Sequence, residues 1–453
     1  MTTGHDRAER GGIGFRLVRR LIDARPDEMS ALGWSWLFYF SVLSAYYVIR
    51  PIRDEMGVAG GVDNLPWLFT GTLIGMMIAN PPFAALVSRL PALRFISATY
   101  RFFIANLLIF FFLLLNASAV ESIWVGRVFF IWTSVFNLFV VSIFWACMVD
   151  VFTTEQGKRL FGFIAAGATL GAITGSSLTA GLVSVIGPTY LLLVSCALLE
   201  LAVFSVQRVA RVSGALSRGQ LAIERDTRIG GGVMAGLTHT LKSPYLLNIS
   251  FYMLLFTVTS TFLYFQQADI VDRTFTDRTA RTAFFAQVDL LVNVLTLGTQ
   301  LFLTGRIVGA LGIAVTLTLL PLLSIAGFLT LGMAPTIAAI VGFQALRRAG
   351  NYAVARPTRE VLYTVLSRED KYKAKSFIDT FVYRAGDQVG AWSYALLAAL
   401  GLGVSGVALA AVPVSVAWAV NALWLGRRQE ALAPTPADDR PAPRPARAVL
   451  AGE

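Results

Sequence analysis

Arginines stand where an apolar chain should have none. The segment "FQALRRAGNYAVARPTREVLY" places Arg348, Tyr352, Arg356 and Arg359 at i, i+4, i+8 and i+11, one face of a helix. "YYVIRPIRDEM" sets Arg50 and Arg53 one turn apart, with Asp54 beside them, and Arg127 and Asn137 interrupt a third apolar run. Acids and amides recur in the same way: Asp289, Asn293 and Gln300 align on one segment, Asp379, Tyr383 and Asp387 on another. Such residues are costly in lipid and face a bundle interior or a wet cavity. Arg384 and Asp387, one turn apart, can neutralise each other. Around Arg50, Arg53, Arg348 and Arg356 the arginines outnumber the nearby acids, so unpaired charge is expected there. Guanidinium groups in a low-dielectric cavity select anions, and their planar fork matches phosphate. A second concentration of charge is "REVLYTVLSREDKYKAKSFID", which holds Lys371, Lys373 and Lys375, three of the five lysines in the chain. The cluster reads either as a topology determinant or as the mouth of an anion path.

The elements that must position these residues are membrane spans. The chain has 453 residues, 56% of them hydrophobic and 14% charged, which exceeds the apolar share of ordinary soluble domains. Apolar runs near bilayer length recur throughout, at about 31–52, 66–88, 96–116, 123–150, 160–184, 188–207, 244–267, 282–304, 307–331, 335–364, 374–400 and 405–426. The expected fold is an all-α polytopic membrane protein, with twelve transmembrane helices in two six-helix halves. Residues 1–30 form a basic N-terminus, 31–207 the first half, 208–243 a basic Gly-rich linker, 244–426 the second half and 427–453 a Pro/Ala-rich tail expected to be disordered. An N-terminus in the cytoplasm puts roughly 21 Lys/Arg on that side and about 5 outside, so linker and both termini are expected to be cytoplasmic. "DVFTTEQGKRL" joins spans four and five as the lysine block joins ten and eleven, a faint internal repeat of the kind transporters show. In span five, Gly167, Gly171 and Gly175 share a face and predict close helix contact, while Ser176 and Ser177 offer a polar lining.

Other chemistries find little footing. "GLGVSG" at 401–406 has the GxGxxG spacing but neither the strand nor the βαβ unit that the dinucleotide motif requires. No GxxxxGK[ST], HExxH or GxSxG occurs, so neither an ATP-hydrolysing pump nor a hydrolase is indicated. Cys147 and Cys196 have no metal or redox spacing, and His5 and His239 are isolated; no metal or other cofactor is implied. The first 28 residues lack the apolar core of a cleavable signal. The net charge of +11 lies mostly in loops on one side of the spans, a topology signal rather than a nucleic-acid footprint. The expected partners are the bilayer and a small anionic substrate, with no nucleic acid and no obligate protein partner evident.

Three blocks, "YYVIRPIRDEM", "FWACMVDVFTTEQGKRLFGFIAAGATLGAITGSSL" and "RPTREVLYTVLSREDKYKAKSFIDTFVYRAGDQVGAW", resemble the major-facilitator-like ATP/ADP translocase family of plastids and intracellular bacteria. The likeness extends over most of residues 30–426, and "KYKAKSFID" is its most specific part. It implies twelve helices and exchange of nucleotides, typically ATP against ADP. It also implies functional basic residues at Arg53 and at Lys373 or Lys375, with Glu155 the candidate after span four. The chain departs from that pattern twice: Arg53–Asp54 stands where the family tends to have Lys–Asp, and Gln266 or Gln267 where it tends to have a glutamate.

The expected function is a secondary transporter of nucleotides, an ATP:ADP antiporter-like protein of the inner membrane working by alternating access. Arg50, Arg53, Arg127, Asn137, Arg348, Tyr352, Arg356, Lys373 and Lys375 are the candidate substrate ligands. Asp54, Glu155, Asp289, Asp379 and Asp387 are the candidate coupling or gating groups. A proton-coupled carrier of another organic or phosphorylated anion, with Asp289, Asp379 or Asp387 titrating, is the second reading. A transporter-like sensor or scaffold is the third.

Overall fold

The computed structural model describes residues 25, 28–89, 92–216, 240–241, 243–366, 374–375 and 377–432. Twelve helices account for nearly all of them, and no strand occurs among the described residues. The first half comprises α1 (Met29–Ala59), α2 (Leu65–Arg89), α3 (Ala92–Asn116) and α4 (Ala119–Val151). A further helical stretch, Thr154–Leu216, is divided at Gly187 (φ 78°) into α5 (154–186) and α6 (188–216). The second half comprises α7 (Pro244–Thr274), α8 (Arg278–Phe302), α9 (Thr304–Met333, broken near its start at Gly312, φ 69°), α10 (337–361), α11 (378–399) and α12 (Val404–Leu432). The helix of α6 runs to Leu216, into the stretch read as linker, and α12 runs to Leu432, into the stretch read as tail. The rest of both stretches, and the N-terminus to residue 24, lie outside the described residues.

Local chemistry sets the helix starts. Ser118 and Glu121 form a reciprocal capping box on α4. Asp277 accepts from the Ala280 N–H at 2.8 Å to begin α8, and Thr336 from the Ala339 N–H at 3.2 Å to begin α10. Below α1, Glu28 is buried and accepts from the Arg25 N–H, Gln156 Nε2 and Arg159 Nη2, each at 2.9 Å, fastening the start of α1 to the start of α5.

α10 is not a uniform helix. Pro357 has no N–H to give the Ala353 carbonyl four residues back, and residues Asn351–Ala355 widen into a π-helical turn. Neighbouring side chains take up the freed carbonyls: Thr304 Oγ1 donates to Ala353 O at 2.8 Å and Gln300 Nε2 to Tyr352 O at 3.3 Å. α11 begins with a second π-helical turn, Ile378–Val382. The π-helical turns divide α10 and α11 into shorter α-helical pieces, of which Ile337–Gly350 and Tyr383–Ala399 are the longest, and neither piece alone is among the helices long and apolar enough to cross a membrane.

Packing repeats between the halves. A Cβ added at Gly167 would lie 2.9 Å from the Trp36 carbonyl oxygen, and one at Gly171 or Gly175 would collide with the Phe40 or Ser44 carbonyl, so α5 presses on α1 backbone to backbone. In the second half Gly386 abuts Thr257, and a Cβ at Gly390 would lie 2.9 Å from Thr261 Cβ, so α11 presses on α7 in the same manner. Helices five and eleven, and one and seven, are the positions a six-helix repeat would equate. Between the halves, α2 meets α11 and the α5–α6 pair meets α8, again equivalent positions.

Candidate functional site

A cavity of about 540 Å³ opens between the halves, within the range of about 300–1,000 Å³ usual for small-molecule sites. Its walls come from α1, α2, α4, α7, α8, α10 and α11. Seven arginines face it against five carboxylates. Aromatic surface, including Phe69, Tyr264 and Tyr352, lies between the charges.

The arginines are held in different ways. Arg50 of α1 and Arg348 of α10 converge on one oxygen: Nη1 of Arg50 is 2.9 Å and Nη2 of Arg348 2.7 Å from Asp289 Oδ1. Arg53 pairs with its neighbour Asp54 at 3.3 Å and lies 4.0 Å from the Phe130 ring centroid. Arg384 pairs with Asp387 at 3.1 Å, and Arg359 approaches Asp379 at 3.9 Å. The unpaired charge expected on Arg50, Arg53 and Arg348 is therefore corrected: all three have acidic partners. Asp289 serves two cations at once, which leaves that trio with one positive charge in excess. Arg356 is exposed in the cavity and has no ion pair or hydrogen bond among the described residues.

Arg347, which nothing in the sequence sets apart from Arg348, is held differently from the other arginines of the cavity. Its guanidinium is buried, with no carboxylate near it and only neutral acceptors: Ser324 Oγ (3.0 Å), Ser260 Oγ (2.8 Å), Thr259 Oγ1 (2.8 Å) and the Phe256 carbonyl (3.2 Å). A buried cation that is hydrogen-bonded yet unneutralised keeps its wall of the cavity positive. Arg347 and Arg348 are adjacent, so their side chains diverge by about 100° on a helix. Both line the cavity, but Arg347 is bonded into the wall of the bundle while Arg348 reaches Asp289, a distinction that residue type alone does not make. Next to Arg347, Gln344 Nε2 donates to Gln267 Oε1 at 2.6 Å, and both line the cavity. Gln266 is instead buried against the Val404 carbonyl, at 3.4 Å.

Of the candidate ligands, Arg50, Arg53, Asn137, Arg348, Tyr352 and Arg356 line this cavity, as do Asp54, Asp289, Asp379 and Asp387. The others lie elsewhere. Arg127 donates to the Gly60 carbonyl at 3.2 Å and stacks 4.5 Å from the Trp124 ring centroid, closing off the end of α1. Glu155 is exposed at the start of α5, away from the cavity. Lys375 pairs with Glu360 beside the Tyr363 ring, and only Glu360 of that pair faces the cavity. Lys371 and Lys373 are outside the described residues. Asn293 is buried and Gln300 braces α10, so only Asp289 of that stripe reaches the cavity. Ser176 is buried and Ser177 exposed, and neither lines it.

One end of the cavity is sealed. Where α1 ends and α2 begins, Tyr264 Oη donates to Asp54 Oδ1 at 3.0 Å and Arg278 Nε to Glu55 Oε2 at 2.8 Å, each bond crossing between the halves. The Thr70 hydroxyl lies 2.9 Å from Gln388 Oε1 and accepts from Trp392 Nε1 at 3.2 Å, joining α2 to α11. Trp67 meets Trp392 edge-on at 4.8 Å, and Phe69 packs on Phe265 at 5.3 Å. Val58, Leu65, Leu68 and Phe130 of the first half share one apolar cluster with α7 and α8. At the opposite end, where α1 and α7 begin, no hydrogen bond or ion pair joins the halves among the described residues, and Arg356 is exposed.

Twelve helices in two repeated halves, enclosing a polar cavity sealed at one end, define a major-facilitator-like fold, and solved structures agree. The chain is similar to a bacterial homolog of the human lysosomal transporter Spinster, solved inward-facing and unoccupied, with a TM-score of 0.55 and 14% identity over 91% of this chain and 100% of that one. It is similar also to a POT family transporter in complex with a thioalcohol-conjugated peptide, with a TM-score of 0.60 and 10% identity over 88% and 96%. An auto-inhibited POT family peptide transporter matches with a TM-score of 0.57 and 15% identity over 91% and 99%. At such identities the likeness is one of fold. No protein-family model and no curated protein sequence matches the chain.

Proposed function

We propose that the chain is a secondary membrane transporter of a phosphorylated anion, working by alternating access, with nucleotides of the ATP/ADP type as lead substrates. The observation that carries the reading is the cavity's charge: seven arginines against five carboxylates, with Arg347 and Arg356 paired to no acid among the described residues. An anion entering such a site gains charge-assisted hydrogen bonds from donors already in place. The choice of nucleotide rests on the resemblance of the three sequence blocks. With the basic linker end in the cytoplasm, the protein sits in the inner membrane with both termini inside, and the sealed end of the cavity faces outward.

Proteoliposomes loaded with ADP should take up labelled ATP, and empty liposomes should not. If neither ADP nor ATP nor any other phosphorylated anion supports exchange, the reading is wrong. A proton-coupled carrier is the second reading, favoured by Asp289 and Asp387, which are buried in the cavity wall. Uptake by empty liposomes that depends on an imposed pH gradient would select it.

A further inference from the structure

The bridge Arg50–Asp289–Arg348 joins the two halves and is an unusual ion cluster. Asp289 is 2% exposed, and both cations approach its Oδ1 alone. Its Oδ2 is buried without a hydrogen-bond partner. Arg50 and Arg348 approach Asp289 as ion pairs without forming a hydrogen bond to it or to any other described residue, and Arg348 Nη2 is itself buried without one. Both nonetheless face the cavity, at 17% and 16% side-chain exposure. A structural ion cluster would satisfy both carboxylate oxygens and both guanidinium forks. This one satisfies neither.

We propose that Asp289 is a stand-in for the substrate's anionic group, which it holds a place for in the empty protein. Resting on the reading of the cavity as an anion site, the proposal adds a specificity-determining residue to it. The carboxylate keeps two like-charged guanidinium groups, one from each half, close together until an anion arrives. A phosphoryl group offers more acceptor oxygens than one carboxylate oxygen and displaces it, bridging Arg50 of α1 to Arg348 of α10. The substrate then takes over a tie between the halves that the protein had made for itself. Displacement also sets a threshold: a monoanionic carboxylate no better than Asp289 gains nothing by exchange, whereas a phosphoryl group does. Asp289 therefore biases the site against simple carboxylates.

The test is binding of ADP, inorganic phosphate and acetate to the full chain in nanodiscs, by calorimetry. Asp289→Asn removes the competitor and should tighten ADP and phosphate about tenfold or more, and bring acetate into measurable range. Asp379→Asn removes an equal charge from the same cavity, at a site 3.9 Å from one arginine and 34% exposed, and should gain no more than about threefold. If wild type binds ADP or phosphate but Asp289→Asn binds them no better, or no better than Asp379→Asn does, the stand-in role is overturned while the anion site survives. If neither wild type nor variant binds any of the three, the proposal and the anion reading fall together. Asp289→Ser, with the same expectations, replaces the Asn variant should that variant lack a cooperative melting transition.

Discussion

Replacing Arg278 by Gln should loosen the sealed end of the cavity. Glu55 is 1% exposed and Arg278 33% exposed, and their bond at 2.8 Å joins α1 to the first turn of α8 across the halves. A unit-charge pair near 4 Å is worth about 4 kcal/mol at an effective dielectric of about 20. Water screening at the part-exposed Arg278, and the cost of keeping Glu55 from solvent, reduce that to about 1–2 kcal/mol. The bond can exist only while this end is closed. Its loss should move the equilibrium toward opening by roughly 5- to 30-fold.

Cross-linking reads that equilibrium directly. Thr70→Cys and Gln388→Cys place thiols on α2 and α11, where the native side chains lie 2.9 Å apart. The native Cys147 and Cys196 are both buried and are replaced by Ser. Adding Arg278→Gln should slow oxidative cross-linking several-fold, and adding Glu55→Gln to that variant should restore part of the rate by removing the stranded carboxylate. Equal rates with and without Arg278 would refute the idea that this pair latches the closed end. A cross-link slowed further by Glu55→Gln would refute the electrostatic reasoning behind it.

Three further outcomes follow from the contacts. Arg356→Gln should weaken ADP binding about tenfold, yet leave the unfolding free energy within about 0.5 kcal/mol of wild type, because Arg356 is exposed and has no partner among the described residues; Arg347→Gln, which removes four hydrogen bonds, should cost about 2–4 kcal/mol in thermal unfolding. Gly171→Leu should abolish a folded, monodisperse product in detergent, since its side chain must occupy the space of the Phe40 carbonyl, whereas Gly181→Leu, with nothing within 4 Å, should fold. Burial pushes the Glu28 carboxyl up, but hydrogen bonds from the Arg25 backbone, Gln156 and Arg159 outweigh it and hold it below its ordinary value near 4.5. Its stabilisation is thus fully present above about pH 4.5 and lost as pH falls through the lowered value, so Glu28→Gln should flatten the acid side of a melting-temperature profile.

The fold was legible in the sequence because bilayer length and hydropathy act over twenty residues at a time. α10 and α11, each interrupted by charges and by a π-helical turn, still lie within the spans expected at 335–364 and 374–400, since apolar residues recur on both sides of their charges. The span-five glycines announced a close contact, although the spacing alone did not identify α1 as the surface they meet. The cavity was legible on one helix at a time: the stripe from Arg348 to Arg359 and that from Asp379 to Asp387 both face it. Long-range pairing was not legible. Asp54 and Tyr264 are 210 residues apart, Glu55 and Arg278 223, and nothing local in either stretch points to its partner.

The inference that failed, unpaired charge on Arg50 and Arg348, did so for a physical reason. Counting acids near each arginine along the chain overlooks the acid supplied by another helix, here Asp289 of α8. Yet that acid is one for two cations, and it leaves one of its own oxygens unused. The pairing therefore changes the account of the site without removing its surplus. An arginine neutralised by a carboxylate that an anion can replace remains available to that anion, whereas Arg347, locked to four neutral acceptors, contributes field and is not free to move. In this cavity the exchangeable charges lie at the junction of the halves and the fixed one within a single half, the arrangement needed if anion binding is to change how the halves are tied together.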